Sequence, residues 1–266
     1  MSLVDIAAFV DRLADVSGEA ILPFFRTSIG SEDKSRGGVF DPVTEADRAA
    51  EAAMRRLITQ TFPGHGIVGE EFDDIRTDAD YVWILDPIDG TKSFISGLPV
   101  WGTLIGLTHK GQPCYGMMHQ PFTRERFTGD GQGAQWRGVN GKGAVKRSLS
   151  VRSCASLAEA TLMTTSPLLI PPEQRAAFHQ VEAQVRLSRY GGDCYAYCML
   201  ASGHIDLVIE SGLQPYDIVA LIPIVEGAGG IITSWDGGSA ANGGAIVASG
   251  DKRVHDAALK LLQAKI

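Results

Sequence analysis

The segment WILDPIDGTKSF, residues 83–94, constrains the fold of the chain most strongly, because an apolar run leads directly into two carboxylates. The first residues have the composition of a buried strand, and Asp86 and Asp89 follow them three positions apart. Pro87 and Gly90 predict a tight turn that carries both side chains. Neighbouring buried carboxylates are costly unless they are protonated, paired with a base or bound to a cation. The segment therefore predicts a cation site where a buried strand ends.

Three further acidic residues lie where predicted elements begin or end. Asp47 falls in the first turn of a helix, Glu70 at the end of a strand, and Asp217 at the start of a helix. Singly, each has an ordinary explanation, as a residue that favours a helix N-terminus, a solvated loop residue or an N-cap. As a set with the two aspartates they offer only oxygen ligands, which favours a hard cation such as Mg²⁺ or Mn²⁺. If a helix starts after Gly90, its free N–H groups would add an anion site beside the metal, with the Thr91 hydroxyl next to it.

Composition and charge narrow the classes of function. The chain has 266 residues, 44% hydrophobic and 21% charged, which is typical of a soluble globular protein. A net charge of −7 and the absence of a long basic run disfavour nucleic acid as a partner. No apolar run is long enough to span a membrane, and the opening residues favour an amphipathic helix over a secretory leader. Cys194 and Cys198 are better explained as core residues than as ligands of a soft metal, and we expect a cytoplasmic protein.

The order of the predicted elements divides the chain into two halves. The first half contains helices at 3–26 and 44–61, strands at 66–71 and 81–86, and a meander at 102–128. The second half alternates strands at 160–166, 185–192, 205–211 and 245–250 with helices at 172–185, 193–203, 216–230 and 251–265. We therefore expect an α+β subdomain at 1–140 that carries most of the metal ligands, and an α/β subdomain at 141–266 that completes the site.

Several separated motifs resemble the inositol monophosphatase-like superfamily of metal-dependent, lithium-sensitive phosphatases. They are PVTEADR at 42–48, EE at 70–71, WILDPIDGT at 83–91, PYDIVA at 215–220 and EGAGG at 226–230. Their order and spacing extend the resemblance over nearly the whole chain. It implies the layered sugar-phosphatase fold of that superfamily, with alternating α-β-α-β-α layers, and a homodimer.

The resemblance also implies a role for each matching residue. Up to three Mg²⁺ ions, with Mn²⁺ as an alternative, would be held by Glu70, Asp86, Asp89, Asp217 and the carbonyl of Ile88. Thr91, oriented by Asp47 and assisted by Glu70, would position and deprotonate the attacking water. The N–H groups of Gly90 and Thr91 would bind the phosphate, with Asp217 nearby. A non-catalytic scaffold is disfavoured, since it would have no use for the pair formed by Thr91 and Asp47.

Residues around these motifs narrow the range of candidate substrates. Lys92-Ser93 and the segment 191–217 resemble the histidinol-phosphate phosphatase branch, which implies substrate contacts from Gly192, Asp193, Cys194 and Glu210. Histidinol carries an ammonium and an imidazole, for which Asp193 and Glu210 are fitting partners. Asp193 has an alternative role as a helix cap, and Glu210 equally suits a polyol. Histidinol phosphate is therefore the predicted substrate, with inositol 1-phosphate or a broad range of sugar phosphates as the alternative.

Some positions depart from the pattern of the superfamily. A lysine near the metals is often present, and Lys34 and Arg36 are the candidates for it here. Tyr216 stands where Trp is common. Arg124 and Arg126 are predicted to be solvated hairpin charges, with the alternative that one of them reaches the site of a neighbouring subunit. None of the six histidines falls in a metal-binding spacing.

Overall fold

Strand pairing organises the protein around two mixed sheets. The structure is a computed structural model that describes residues 5–27, 31–33 and 42–264, so Lys34 and Arg36 lie outside the described residues. The larger sheet has seven strands in chain order: β3 (Gly66–Gly69), β4 (Tyr81–Asp89), β5 (Gly102–His109), β6 (Gln112–Gln120), β7 (Glu125–Gly129), β8 (Ala134–Asn140) and β9 (Gly143–Ser148). All its pairs are antiparallel except β3 and β4, which are parallel. A separate short pair joins β1 (Ser31–Asp33) to β2 (Pro42–Thr44).

The smaller sheet belongs to the second half of the chain. Its strands are β10 (Thr161–Thr164), β11 (Leu187–Tyr190), β12 (Leu207–Leu213), β13 (Ile231–Ser234) and β14 (Gly244–Ser249), in the order β11-β10-β12-β14-β13. The pairs that β10 makes with β11 and β12 are parallel, and those that β14 makes with β12 and β13 are antiparallel.

The helices form three layers around these sheets. They are α1 (Ile6–Ile21), α2 (Glu45–Thr61), α3 (Thr91–Ile95), α4 (Pro172–Glu182), α5 (Asp193–Ala201), α6 (Pro215–Ile218), α7 (Ile222–Gly227) and α8 (Lys252–Leu262). The pair α1 and α2 packs on the seven-stranded sheet, α5, α6 and α7 lie between the sheets, and α4 and α8 pack against each other beside the five-stranded sheet. The fold is therefore the layered α-β-α-β-α arrangement predicted from the sequence.

Successive side chains of a strand pack into different cores on the two faces of its sheet. On β5, Leu104 joins the core between the sheets, whereas Ile105 and Leu107 pack towards α1 and α2. On β12, Val208 faces the core between the sheets, and its neighbours on either side face α4 and α8. Successive strand residues point to opposite faces of a sheet. Both faces of β5 and β12 are therefore apolar, and helices cover both of them.

Two proline residues explain where predicted helices were too long. The first helix was predicted over 3–26 and ends at Ile21, because Pro23 has no N–H to continue the hydrogen-bond ladder. The helix predicted over 216–230 is two short helices, α6 and α7. Pro223 cannot donate to the carbonyl of Val219, so the turn between these helices interrupts the ladder. Strand β13, which follows α7, was not predicted.

The meander continues beyond its predicted end at residue 128 into the hairpin of β8 and β9. This hairpin crosses the boundary proposed at 140/141, and the division into two subdomains stays a prediction. The mixed polar and apolar composition of 134–148 hid these strands, since β9 is mostly exposed and lies at an edge of the sheet. No helix in the described part of the chain is both long and apolar enough to cross a membrane.

Candidate active site

Carboxylate oxygens of Asp86, Asp89 and Asp217 lie within 4.8 Å of one another. Asp86 and Asp89 belong to the end of β4, and Asp217 comes from α6, which packs on β4. The fold thus brings together two aspartates from the first half of the chain and one from the second. Among the described residues these three form the acidic group with the spacing of a metal site.

A bulge in β4 brings the side chains of the two aspartates to the same side of the strand, where both join one acidic group. Asp86 pairs with Leu104 and Asp89 with Gly102, so three steps along β4 match two steps along β5. Without the extra residue, side chains three positions apart would point to opposite faces. Pro87 is tolerated at the bulge, where its carbonyl accepts a hydrogen bond of 2.8 Å from the Thr103 hydroxyl. The predicted tight turn is therefore wrong, because the strand continues through the bulge to Asp89.

Burial makes ionised Asp86 costly. Its side chain is 1% exposed, and burial raises the pKa of its carboxyl well above the ordinary value. The negative charges of Glu70, Asp89, Asp217 and Asp47 raise this pKa further, in that order. The Oδ1 atom of Asp86 is buried and has no hydrogen-bond donor among the described residues. An oxygen-only group with an orphaned buried acceptor fits a hard divalent cation.

Glu70 and Asp47 approach this group from neighbouring elements. The parallel register pairs Gly69 with Leu85, so the next residues along, Glu70 and Asp86, are neighbours across the two strands. Asp47 lies in the first turn of α2, as predicted, and is 2% exposed. Neither belongs to the group of oxygens within 4.8 Å, but both act on Asp86 through their charge.

The segment after Asp89 forms the predicted start of a short helix. Gly90 has a positive φ of 85° and precedes α3, whose first residue is Thr91. The Thr91 hydroxyl donates to the carbonyl of Ile88 at 3.3 Å. The contact expected between Thr91 and Asp47 stays a prediction.

The N-terminus of α5 lies against this segment. The backbone N–H of Cys194 donates to Asp89 Oδ2 at 2.6 Å, and the Ser93 hydroxyl donates to Asp193 Oδ2 at 2.6 Å. Asp193 is the first residue of α5 rather than its cap, since Gly192 holds the N-cap position. Burial raises the pKa of the Asp193 carboxyl, while the Ser93 hydrogen bond and the Lys92 charge lower it.

Glu210 lies in the same cavity on β12. Its side chain is 4% exposed and accepts hydrogen bonds from the backbone N–H of Thr165 at 2.6 Å and the Thr164 hydroxyl at 3.2 Å. Burial outweighs these bonds and raises the pKa of Glu210 to about 7. Thr164 and Thr165 were not predicted as site residues, and their only sequence signal is a polar end to the strand ATLMTTS.

The cavity between these elements has a volume of about 350 Å³. It is lined by Asp89, Gly90, Thr91, Lys92, Thr165, Leu169, Asp193, Glu210, Ser211, Gly212, Leu213 and Asp217. Among the residues that the structure describes, no histidine lines this cavity. A larger cavity of about 500 Å³, which Arg124 and Arg126 line, lies between α1 and β8–β9 and holds none of the predicted catalytic, metal or substrate residues. The prediction that Arg126 is a solvated charge is wrong, because its guanidinium pairs with Asp11 and Asp15 of α1.

Comparisons with known proteins identify the family of the chain. The sequence profile of the inositol monophosphatase family matches residues 3–266. The chain is 46% identical to the bifunctional phosphatase IMPL2 of Arabidopsis thaliana, over 97% of this chain and 75% of that protein. It is 39% identical to a histidinol-phosphatase of Mycobacterium tuberculosis, over 84% of this chain and 85% of the other.

The fold matches a solved structure over its whole length. An inositol monophosphatase from Zymomonas mobilis has a TM-score of 0.86 at 40% identity, over 99% of this chain and 100% of that one. Family profile, relatives and structure agree with the motifs that surround the carboxylates. The chain belongs to the inositol monophosphatase family and is a phosphatase of that family.

Proposed function

We propose that the protein is a Mg²⁺-dependent phosphomonoesterase that hydrolyses histidinol phosphate to histidinol and phosphate. The observation that carries the substrate assignment is a pair of acidic side chains, Asp193 and Glu210, that line the cavity beyond the aspartate group. A polyol needs hydrogen-bond partners but no added negative charge, whereas a substrate with an ammonium is recognised best by carboxylates. The histidinol-phosphatase relative supports the same assignment.

The metal would be held by residues that fit it. They are Glu70, Asp86, Asp89, Asp217 and the carbonyl of Ile88, with Mg²⁺ as the expected ion, up to three per site, and Mn²⁺ as an alternative. When bound, the metal would lower the pKa of the attacking water and offset the negative charge of the phosphate and the leaving oxygen.

The chain itself would position the water and the phosphate. The Thr91 hydroxyl donates a hydrogen bond to the carbonyl oxygen of Ile88, so the hydroxyl oxygen remains able to accept a hydrogen bond from a water. Asp47 and Glu70 would orient the reacting groups and take up the proton. The N–H groups of Gly90 and Thr91 would donate to the phosphate, because Gly90 adopts a backbone conformation that permits close approach.

The leaving group would lie towards α5 and β12. Asp193 and Glu210 would accept hydrogen bonds from the ammonium and the imidazole. Gly192 and Cys194, also predicted as substrate contacts, flank Asp193 in the chain but are not among the residues that line the cavity. A Glu210 carboxyl with a pKa of about 7 is readily ionised when a cationic group enters the cavity. The cavity would therefore bind the phosphate and the cationic groups of one substrate through different residues.

Inositol 1-phosphate or a sugar phosphate is the second candidate. Glu210 and Ser211 line the cavity and can hydrogen-bond hydroxyl groups, and the Zymomonas mobilis structure belongs to an inositol monophosphatase. Asp193 distinguishes the candidates, because its added charge favours a cationic leaving group.

Phosphate release tests the proposal. We expect the protein with Mg²⁺ to hydrolyse histidinol phosphate with a higher kcat/KM than inositol 1-phosphate or glucose 1-phosphate, and to lose activity on all three in EDTA. Efficient turnover of inositol 1-phosphate with no release from histidinol phosphate would remove the substrate assignment. Full activity in EDTA would remove the role of the metal.

A further inference from the structure

Ser93 makes a contact that the proposed mechanism does not use. Its hydroxyl is 2.6 Å from Asp193 Oδ2, across 100 residues of sequence, and Ser93 itself is 8% exposed. Ser93 lies two positions after Thr91, in the helix that follows the metal-ligand segment, whereas Asp193 begins α5 in the second half of the chain. The bond therefore links the helix after the metal-ligand segment to an acidic residue of α5 that lies beside it in the same cavity.

Asp193 is held in an unusual backbone conformation. Its φ is 42°, in the left-handed region that side chains other than glycine seldom adopt. The next N–H, that of Cys194, is bonded to Asp89 at 2.6 Å, which fixes the start of α5 against β4. Backbone strain of this kind persists where the surroundings determine the position of a residue, and it concentrates at functional sites.

Close packing against Gly90 limits where the Asp193 carboxyl can lie. A Cβ atom added to Gly90 would come within 2.9 Å of the carboxyl carbon of Asp193, so only glycine leaves room for it there. The carboxylate is therefore adjacent to the backbone that is proposed to bind the phosphate. An ammonium close to the phosphate in a substrate would reach it.

Lys92 competes for this carboxylate. Its ammonium lines the same cavity and lowers the pKa of Asp193. Without the Ser93 hydrogen bond, the Asp193 carboxylate would lose one of the contacts that hold it away from this exposed lysine. With the bond in place, Ser93 binds Oδ2 and the side chain of Thr165 also hydrogen-bonds the carboxylate. The carboxylate thus keeps an orientation in which it can still accept a hydrogen bond from a ligand.

We propose that Ser93 is a positioning residue that makes Asp193 selective for phosphate esters carrying an ammonium group two carbons from the ester oxygen. The inference rests on the proposed phosphatase function of this cavity and not on histidinol phosphate as the substrate. Histidinol phosphate has this two-carbon spacing, and so does the much smaller 2-aminoethyl phosphate. The neutral counterpart, 2-hydroxyethyl phosphate, differs from the latter only in the terminal group.

The test compares kcat/KM for these two esters in the full-length protein with Mg²⁺. We expect the wild type to prefer the ammonium ester, and Ser93→Ala to lower the ratio of the two kcat/KM values roughly tenfold, mainly through KM for the ammonium ester. Ser93→Thr keeps the hydroxyl and should restore most of the preference. Ser96→Ala is the matched control, because Ser96 is exposed at the end of the same helix and has no side-chain hydrogen bond to Asp193.

A double-mutant cycle assigns the effect to Asp193. Asn tolerates a positive φ well, so Asp193→Asn removes the charge with little change to the backbone. This variant should also lose the preference, and Ser93→Ala should add nothing to it. Additive effects of the two substitutions would overturn the proposal.

The remaining outcomes separate this inference from the substrate assignment. Equal losses on both esters in Ser93→Ala would make Ser93 a structural support and overturn its role in selectivity. A wild type without preference for the ammonium ester would overturn it as well, whether or not histidinol phosphate is hydrolysed. Preference for the ammonium ester that Ser93→Ala abolishes, without turnover of histidinol phosphate, would refute the substrate assignment and support the role of Ser93.

Discussion

Asp86 and Asp89 belong to one acidic group because β4 contains one extra residue between them. The pairing with β5 shifts by one position over this interval, which turns a spacing of three into the two-residue period of a strand. Four other carboxylates then act on Asp86 through their charges, and its Oδ1 has no donor among the described residues. Such a group is unfavourable in a protein without a cation, which is why we infer that the site binds metal.

Asp89→Asn tests this inference at one side chain. The substitution removes a proposed ligand and also removes repulsion with Asp193 and Asp217, both of which raise the pKa of Asp89. The amide oxygen of Asn can still accept the bond from Cys194. We therefore expect no phosphatase activity, a preserved fold, and loss of the rise in melting temperature that Mg²⁺ causes in the wild type. Near wild-type turnover would exclude Asp89 from the metal site.

We expect Glu210 to make the free energy of unfolding decrease as the pH rises. Its pKa is raised from 4.5 to about 7 in the folded state, so the folded protein binds more protons than the unfolded chain between these values. The contribution of Glu210 to the free energy of unfolding is therefore fully present below about pH 4.5. This contribution, up to about 3 kcal/mol, is lost as the pH rises through 7.

Glu210→Gln removes this dependence and keeps an acceptor for Thr165. In urea unfolding with EDTA, the wild type should lose more stability than the variant between about pH 5 and about pH 8. Equal losses in the two proteins would show that Glu210 does not titrate in this range.

Helix α2 holds the segment that carries Glu70. Glu51 is fully buried, accepts the backbone N–H of Glu71 at 2.8 Å and pairs with Arg55 at 2.7 Å. Arg55 in turn donates to the carbonyls of Phe72 and Asp73, each at 2.9 Å. This pair therefore ties the chain after β3 to α2 and sets the position of Glu70 beside Asp86.

Arg55→Ala tests the role of this pair. Removing one partner of a buried ion pair leaves the other charge uncompensated, so we expect the free energy of unfolding to fall by about 3 kcal/mol. The affinity for Mg²⁺, measured by calorimetric titration, should fall as well because Glu70 loses its support. The neighbouring Arg56 is exposed, and Arg56→Ala should change stability by less than about 0.5 kcal/mol. Unchanged Mg²⁺ affinity in Arg55→Ala would mean that Glu70 is positioned independently of α2.

The sequence predicted those elements that depend on local patterns. The period of the apolar residues located the main helices and strands, and the oxygen-only set of acidic residues indicated the metal site. The bulge in β4 was not predictable, because it depends on the register with β5. The bond between Ser93 and Asp193 was also out of reach, since it joins residues 100 positions apart. Edge strand β9 was missed because its exposed residues carry no apolar period.

At the scale of the whole molecule, the oligomeric state stays a prediction, and the family resemblance implies a homodimer. Three large apolar side chains, Leu98, Leu168 and Leu169, line one cavity beside the active site, and Leu168 is 78% exposed. A cluster of exposed leucines is typical of a surface that another chain covers. Sedimentation equilibrium should give twice the 28.4 kDa of the chain, and Leu168→Glu should shift the mass towards the monomer. A wild-type monomer at all concentrations would refute the dimer.

We infer that one cavity binds metal and phosphate beside β4 and α3, and the cationic part of the substrate through Asp193 and Glu210. A crystal structure with Mg²⁺, phosphate and histidinol tests it most directly. The account predicts Mg²⁺ between Asp86, Asp89 and Asp217, phosphate against the N–H groups of Gly90 and Thr91, and the histidinol ammonium in hydrogen-bond contact with Asp193. Histidinol bound away from Asp193 and Glu210, or Mg²⁺ absent from the aspartate group, would contradict it.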